Sequence, residues 1–454
     1  MAGGGRDDTG AGPREQVLLP AAEAWLAELE RPSAGFFRAF AGALPAGAAA
    51  LGREAVLRLT AQVDWAAYLP HIPHGLLGLQ AVYRLQPLLV PASFRRVLAT
   101  QLHSLAHESR CAAGHGLGAI GRGSGNWDNL AMALAQHRPA IAWGEARSVE
   151  RIGAEHFQRL EQAVQSDMAN VGHKGALARM LGELFLTLDQ APEAGRLLLA
   201  LCAWQCASEP FDHFWHERAA RRLQGAEPVP FRPPVQDPQA HAVLVREICD
   251  SGLVDLLDRF AARVRGAGSG DLLVPLVLAA AEKQLDARRD LEWKTAWNFV
   301  HLACLARRVA QDGAAAPELW VQAAALVNLF PTGEDEDRPC PAEPRAQPAD
   351  PAAALLDAIL DGEGLPAMGL AQALFRTAGA DAVLRVLAEA ASSNDPGCNQ
   401  SLQLLALAAL ADLLPHLPGP AQAAALVALA KALGNGQGCS DLGRLADAAL
   451  RGVD

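Results

Sequence analysis

Histidine is the side chain that decides what this chain could do. Thirteen are spread along its 454 residues, and several fall on the apolar stripe of a predicted helix rather than on its wet face. His74 continues into Leu77, Ala81 and Leu85, and His173 into Leu177, Met180, Leu184 and Leu188. His301 follows Lys294 and Trp297 by whole helical turns, with Asn298 on the same stripe. Neutral imidazole is the commonest metal ligand, and inward-facing helices hold ligands rigidly. Imidazoles meeting inside a bundle would therefore make a metal centre. The plain alternative is a set of separate core or capping histidines, each satisfied locally.

Local sequence refines each candidate. In YLPHIPHGLL, Pro73 suits a first helical position, which leaves His71 just outside a helix and His74 in its first turn, where partial positive charge favours the neutral ring. AGHGLGAIGRG matches GxGxxG at Gly116, Gly118 and Gly121, but a dinucleotide loop needs a preceding strand, and FRRVLATQLHSLAHE reads as helix. The glycines instead permit close backbone approach around His115. NVGHKG opens a helix whose apolar face carries His173, so that imidazole must find a partner, while Lys174, one step round, is expected to point elsewhere. In WKTAWNFVHLAC, Lys294 near Trp293 and Trp297 either snorkels or is chemically special, since burial lowers an amine pKa. His103 and His107, with Arg96, Glu108 and Arg110 close by, read as solvated surface histidines. His213 and His216, three apart and so also able to share one helix face, precede a proline-rich boundary. No HExxH is present. Cys202 and Cys206, one turn apart, read as small core residues.

The elements that must position these groups are helices. Hydrophobic residues make up 51% of the chain and aromatics only 5%, with Ala and Leu dominant and β-branched residues thin. The expected fold is all-α, a multi-helix bundle with a helical C-terminal subdomain. Residues 1–14, rich in Gly and charge, read as a disordered N-terminus. Residues 15–330 form the main helical domain, interrupted by a proline-rich crossing at 226–238. A Pro/acidic linker at 331–351 leads to helices over 352–454. No fixed repeat period is present, so an α-helical repeat scaffold or protein-binding module stands as the bland alternative. The net charge of −11 argues against nucleic-acid and anionic-membrane partners. Eight dispersed cysteines without a CxxC pair, and no apolar signal core, predict a reducing, cytoplasmic setting. Apolar stretches are broken by charges such as Lys283 and Asp412 before a membrane span is reached.

Taken in succession, YLPHIPHGLLGLQAVYRL, AGHGLGAIGRGSGNWDNLAMALA, NVGHKGALARMLGELFLTL and NFVHLACLARRV resemble the questin oxidase-like family over about Phe36 to Arg308. The resemblance implies an all-α oxygenase acting on polycyclic aromatic or quinone-like substrates by Baeyer–Villiger-type insertion or ring cleavage. It further implies non-haem Fe(II) with O₂, held by His74, His115, His173 and His301, together with a carboxylated lysine. The lysine's family position corresponds here to Asn298, leaving Lys294 one turn earlier as its substitute; His71 is a secondary candidate. Trp127, Trp143, Trp293 and Trp297 are available as flat walls for the substrate, Trp127 and Trp297 foremost. No NADPH fingerprint is visible, so a reductant of that kind would bind without a recognisable motif.

Overall fold

The computed structural model describes residues 20–30, 35–60, 74–111, 121–165, 169–208, 218–219, 221–234, 237–287, 292–329, 348–394, 400–438 and 441–451. The N-terminal 1–14, most of the Pro/acidic linker, His71, His115, Gly116, Gly118, His213 and His216 lie outside the described residues, as does the side chain of Lys294.

The fold is all-α, as the composition predicts: twenty-one α-helices run through the described residues. They are α1 (Pro20–Glu30), α2 (Phe36–Ala43), α3 (Ala48–Thr60), α4 (His74–Leu85), α5 (Pro91–Cys111), α6 (Trp127–Ala135), α7 (Pro139–Arg147), α8 (Ala154–Val164), α9 (Ala169–Thr187) and α10 (Pro192–Ser208). After the proline-rich crossing come α11 (Pro238–Asp250), α12 (Leu253–Val264), α13 (Ser269–Asp286), α14 (Glu292–Asp312) and α15 (Pro317–Leu329). The chain closes with α16 (Pro351–Leu360), α17 (Gly364–Ala378), α18 (Ala380–Ser393), α19 (Gln400–Leu413), α20 (Gly419–Asn435) and α21 (Asp441–Leu450). Among the described residues no helix is long and apolar enough to cross a membrane.

Asp-Pro pairs set two of the helix starts. The carboxylate of Asp237 accepts from Gln239 N and Ala240 N, and that of Asp350 from Ala352 N and Ala353 N, with proline at the first helical position in each case. The proline-rich crossing lies on the surface of the bundle and is pinned to it. Strand β1 (Val229–Pro230) pairs antiparallel with β2 (Ala314–Ala315), Val229 opposite Ala315. Just beyond, Arg232 O accepts from Gly270 N at 3.1 Å. The approach is close because Gly270 has no Cβ: one built there would lie 2.4 Å from Pro234 N.

One continuous hydrophobic core spans the whole described chain. Helix α19 is central to it, packed between α4 and α14. A buried polar latch fixes its first turn. Gln400 Oε1 accepts from Gln101 Nε2 at 2.8 Å and from Thr100 Oγ1 at 3.2 Å, while its Nε2 donates to Asn394 O at 2.8 Å; Ser401 Oγ donates to Gln101 Oε1 at 2.8 Å. Such a network, fully paired, fixes one register between helices that bare apolar faces would leave free to slide.

Candidate functional site

Two helices that carry predicted residues, α9 and α14, run in one sense. On α9 and α14, the His173 ring lies against Trp297, and further along both helices Glu183 pairs with Arg307 at 2.6 Å, so the two are parallel and in register. Arg307 also reaches Asp412 of α19 at 2.7 Å, Gln80 Nε2 of α4 donates to Glu183 at 2.7 Å, and Arg84 of α4 pairs with the same Asp412. This network ties α4, α9, α14 and α19 together below their first turns. Glu183, on which it centres, has its carboxyl raised by burial, with Arg307 and Arg179 pulling it partly back.

Toward the N-terminal ends of α9 and α14, three rings meet. His173 stacks on Trp297 with centroids 4.2 Å apart and planes within 10°. His301 stands edge-on to both, 6.0 Å from His173 and 5.6 Å from Trp297. The arrangement follows from helix geometry. Trp297 and His301 are one turn apart on α14, and His173 sits on the adjoining face of α9, whose Leu177, Leu181 and Leu184 are buried in the core. His74 is half-buried in the first turn of α4.

Several polar groups around these rings are unusual. Asn298 is 1% exposed, and neither its amide nitrogen nor its oxygen finds a hydrogen-bond partner. The Trp297 indole N–H, in a ring 4% exposed, is likewise unpaired. Gln284 of α13, 0% exposed, accepts from Thr295 Oγ1 at 2.8 Å while its own amide nitrogen has no acceptor. Lys174, expected to point elsewhere than the apolar face of His173, is 1% exposed and among the largest fully buried side chains. Its four-carbon stem packs as an aliphatic residue would, which hydropathy alone does not reveal.

A cleft of about 70 Å³ is lined by His301 together with Glu161, Cys304, Arg308 and Gln322 of α8, α14 and α15, Gln165 just past α8, and Gly175 and Ala176 of α9. It has room for a few water molecules. Glu161 pairs with Arg179 at 3.4 Å and Arg308 at 3.6 Å, and burial raises its carboxyl against those cations. Burial also holds the Cys304 thiol up at about 12, so that it stays protonated at neutral pH.

Of the four histidines expected to share an ion, the structure brings His173 and His301 together. Among the described residues no group of three or more His, Cys, Asp or Glu converges to hold a metal. Among the described residues the pair supplies two imidazoles, fewer ligands than a closed iron centre takes. Trp297 belongs to the same cluster. Trp127 carries the Arg159 guanidinium 4.4 Å above its ring, so one face of that expected wall is taken. His103, expected in solvent, is half-buried and stacks on Phe37 at 5.5 Å with Phe36 edge-on at 5.1 Å, because α5 packs against α2 on that side. His107 is exposed. Cys202 and Cys206 are core residues, their sulfurs 4.0 Å apart. Comparison of the chain with protein-family models, curated proteins and solved structures returns no match.

Proposed function

We propose that this chain is an oxidoreductase, an oxygenase that holds a flat polycyclic aromatic or quinone-like substrate where α9 and α14 begin. The observation that carries the reading is the meeting of half-buried His173 and His301 at buried Trp297, drawn from segments more than a hundred residues apart. A scaffold would leave its histidines scattered, whereas these two approach to 6.0 Å. The succession of motifs that resembles the questin oxidase-like family supports the same reading.

The chemistry open to these residues is binding, orientation and proton transfer. The indole of Trp297 offers dispersion contact to a flat ring system. His301 stands between that indole and the polar cleft, where it can take a proton from the substrate and return it to water. Iron(II), O₂ and NADPH belong to the proposal as what the resemblance implies.

The test is oxygen consumption by the purified full-length chain supplied with a hydroxyanthraquinone, with and without NADPH, alongside metal analysis. Substrate-dependent uptake that falls about a hundredfold or more in His301→Ala is expected, from the usual contribution of a positioned acid–base group. Undiminished uptake in His301→Ala would remove the site assignment. Iron absent from a wild-type preparation that still turns over would remove the iron-dependent version.

A further inference from the structure

We infer that Asn298 is the specificity residue of this site, reading a carbonyl oxygen on the edge of the bound molecule. The inference deepens the reading above and rests on it. Three observations carry it. First, Asn298 is 1% exposed with both ends of its amide unpaired, and a buried amide without partners is a standing cost that a leucine of similar volume would not incur. Second, Asn298 precedes His301 by three residues and therefore shares its face of α14, beside the three-ring cluster rather than remote from it. Third, the neighbouring unpaired groups are donors: the Trp297 indole N–H and the amide nitrogen of Gln284, the latter joined to the same stretch of α14 through Thr295.

Counting the unpaired set identifies the complement. Asn298 offers two N–H donors and one acceptor, while Trp297 and Gln284 add donors only. A molecule that satisfies this surplus is rich in acceptors, as a quinone or other conjugated ketone is, and a polycyclic hydrocarbon is not. A hydroxyl or N–H beside the carbonyl would meet the remaining Asn298 oxygen. Asparagine has no useful acid–base chemistry at neutral pH, so its contribution is to choose and orient the ligand.

The experiment compares two soluble probes of nearly the same shape, anthraquinone-2-sulfonate and anthracene-2-sulfonate, by calorimetric titration of the full chain. Wild type is expected to bind the quinone about tenfold or more tightly over the hydrocarbon, the discrimination typical of one buried hydrogen-bonding group. Asn298→Leu should bring quinone affinity down to that of the hydrocarbon and leave hydrocarbon affinity unchanged. Without ligand, the same variant should melt no lower than wild type, because it removes an unpaired buried amide. A variant that keeps the quinone preference, or one that melts several degrees lower because the amide is structural, overturns the inference. Equal wild-type binding of both probes overturns the carbonyl assignment alone and leaves a flat-ligand site standing. Binding of neither probe defeats the flat-ligand reading, and the inference with it.

Discussion

Glu183 shows how burial and pairing compete at a single residue. Its carboxyl titrates above the ordinary value because desolvation outweighs the attraction of Arg307 and Arg179. The folded chain therefore binds that proton more tightly than the unfolded chain, and the residue's contribution to stability falls as pH rises from the ordinary carboxyl range through the raised value. Glu183→Gln is uncharged throughout, so its melting temperature relative to wild type should climb across that window; a pH-independent difference in a thermal scan would contradict the assignment. Periodicity alone puts His173 and His301 on apolar helix faces, and both are half-buried against Trp297. Lys174 and the Glu183 network were not legible in the sequence. A lysine's charge conceals its apolar stem, and the partners Gln80, Arg307 and Asp412 come from helices that no local pattern links to α9.

Helix starts were the most readable elements, since Asp-Pro at 237–238 and 350–351 carries its own capping chemistry. What joins the helices was hidden. Helices α17 and α20 meet backbone to backbone at Gly364 and Gly434, where a Cβ on Gly434 would come within 2.7 Å of Gly364 Cα. The need for a bare backbone there depends on the facing helix, so neither glycine announces it in sequence. Gly434→Ala is expected to cost about 1–3 kcal/mol in denaturant unfolding, the usual penalty of overpacking a tight contact; an unchanged midpoint would show that the two helices part freely. Buried lysines fasten other joints. Lys431 Nζ of α20 donates to Leu285 O at 2.7 Å and Ala287 O at 3.3 Å, and Lys283 Nζ to Cys249 O at 3.2 Å, so each neutralises carbonyls at the end of a neighbouring helix.

Across the whole molecule, the Ala/Leu composition predicts helices throughout and cannot say which of them become neighbours. Residues 352–454 read as a subdomain from their proline-rich boundary, yet α19 packs on both α4 and α14. A chain cut at 330 would lose that cover, and we expect it to aggregate or to lack a cooperative transition, whereas the full chain should unfold in one step. A soluble 1–330 fragment with a sharp melt would count against this. The position of α19 also bears on how the protein is made. Arg84 and Asp412, which meet across α4 and α19, are 328 residues apart. At ribosomal speeds of about 5–20 residues per second, the apolar side of α4 waits roughly 15–65 s for its partner to be synthesised. Folding must then close a loop of most of the chain, a slow, high-contact-order event. The nascent protein is thus committed to a long interval with sticky surface uncovered, and its yield in cells should depend on holding chaperones far more than its melting temperature would suggest.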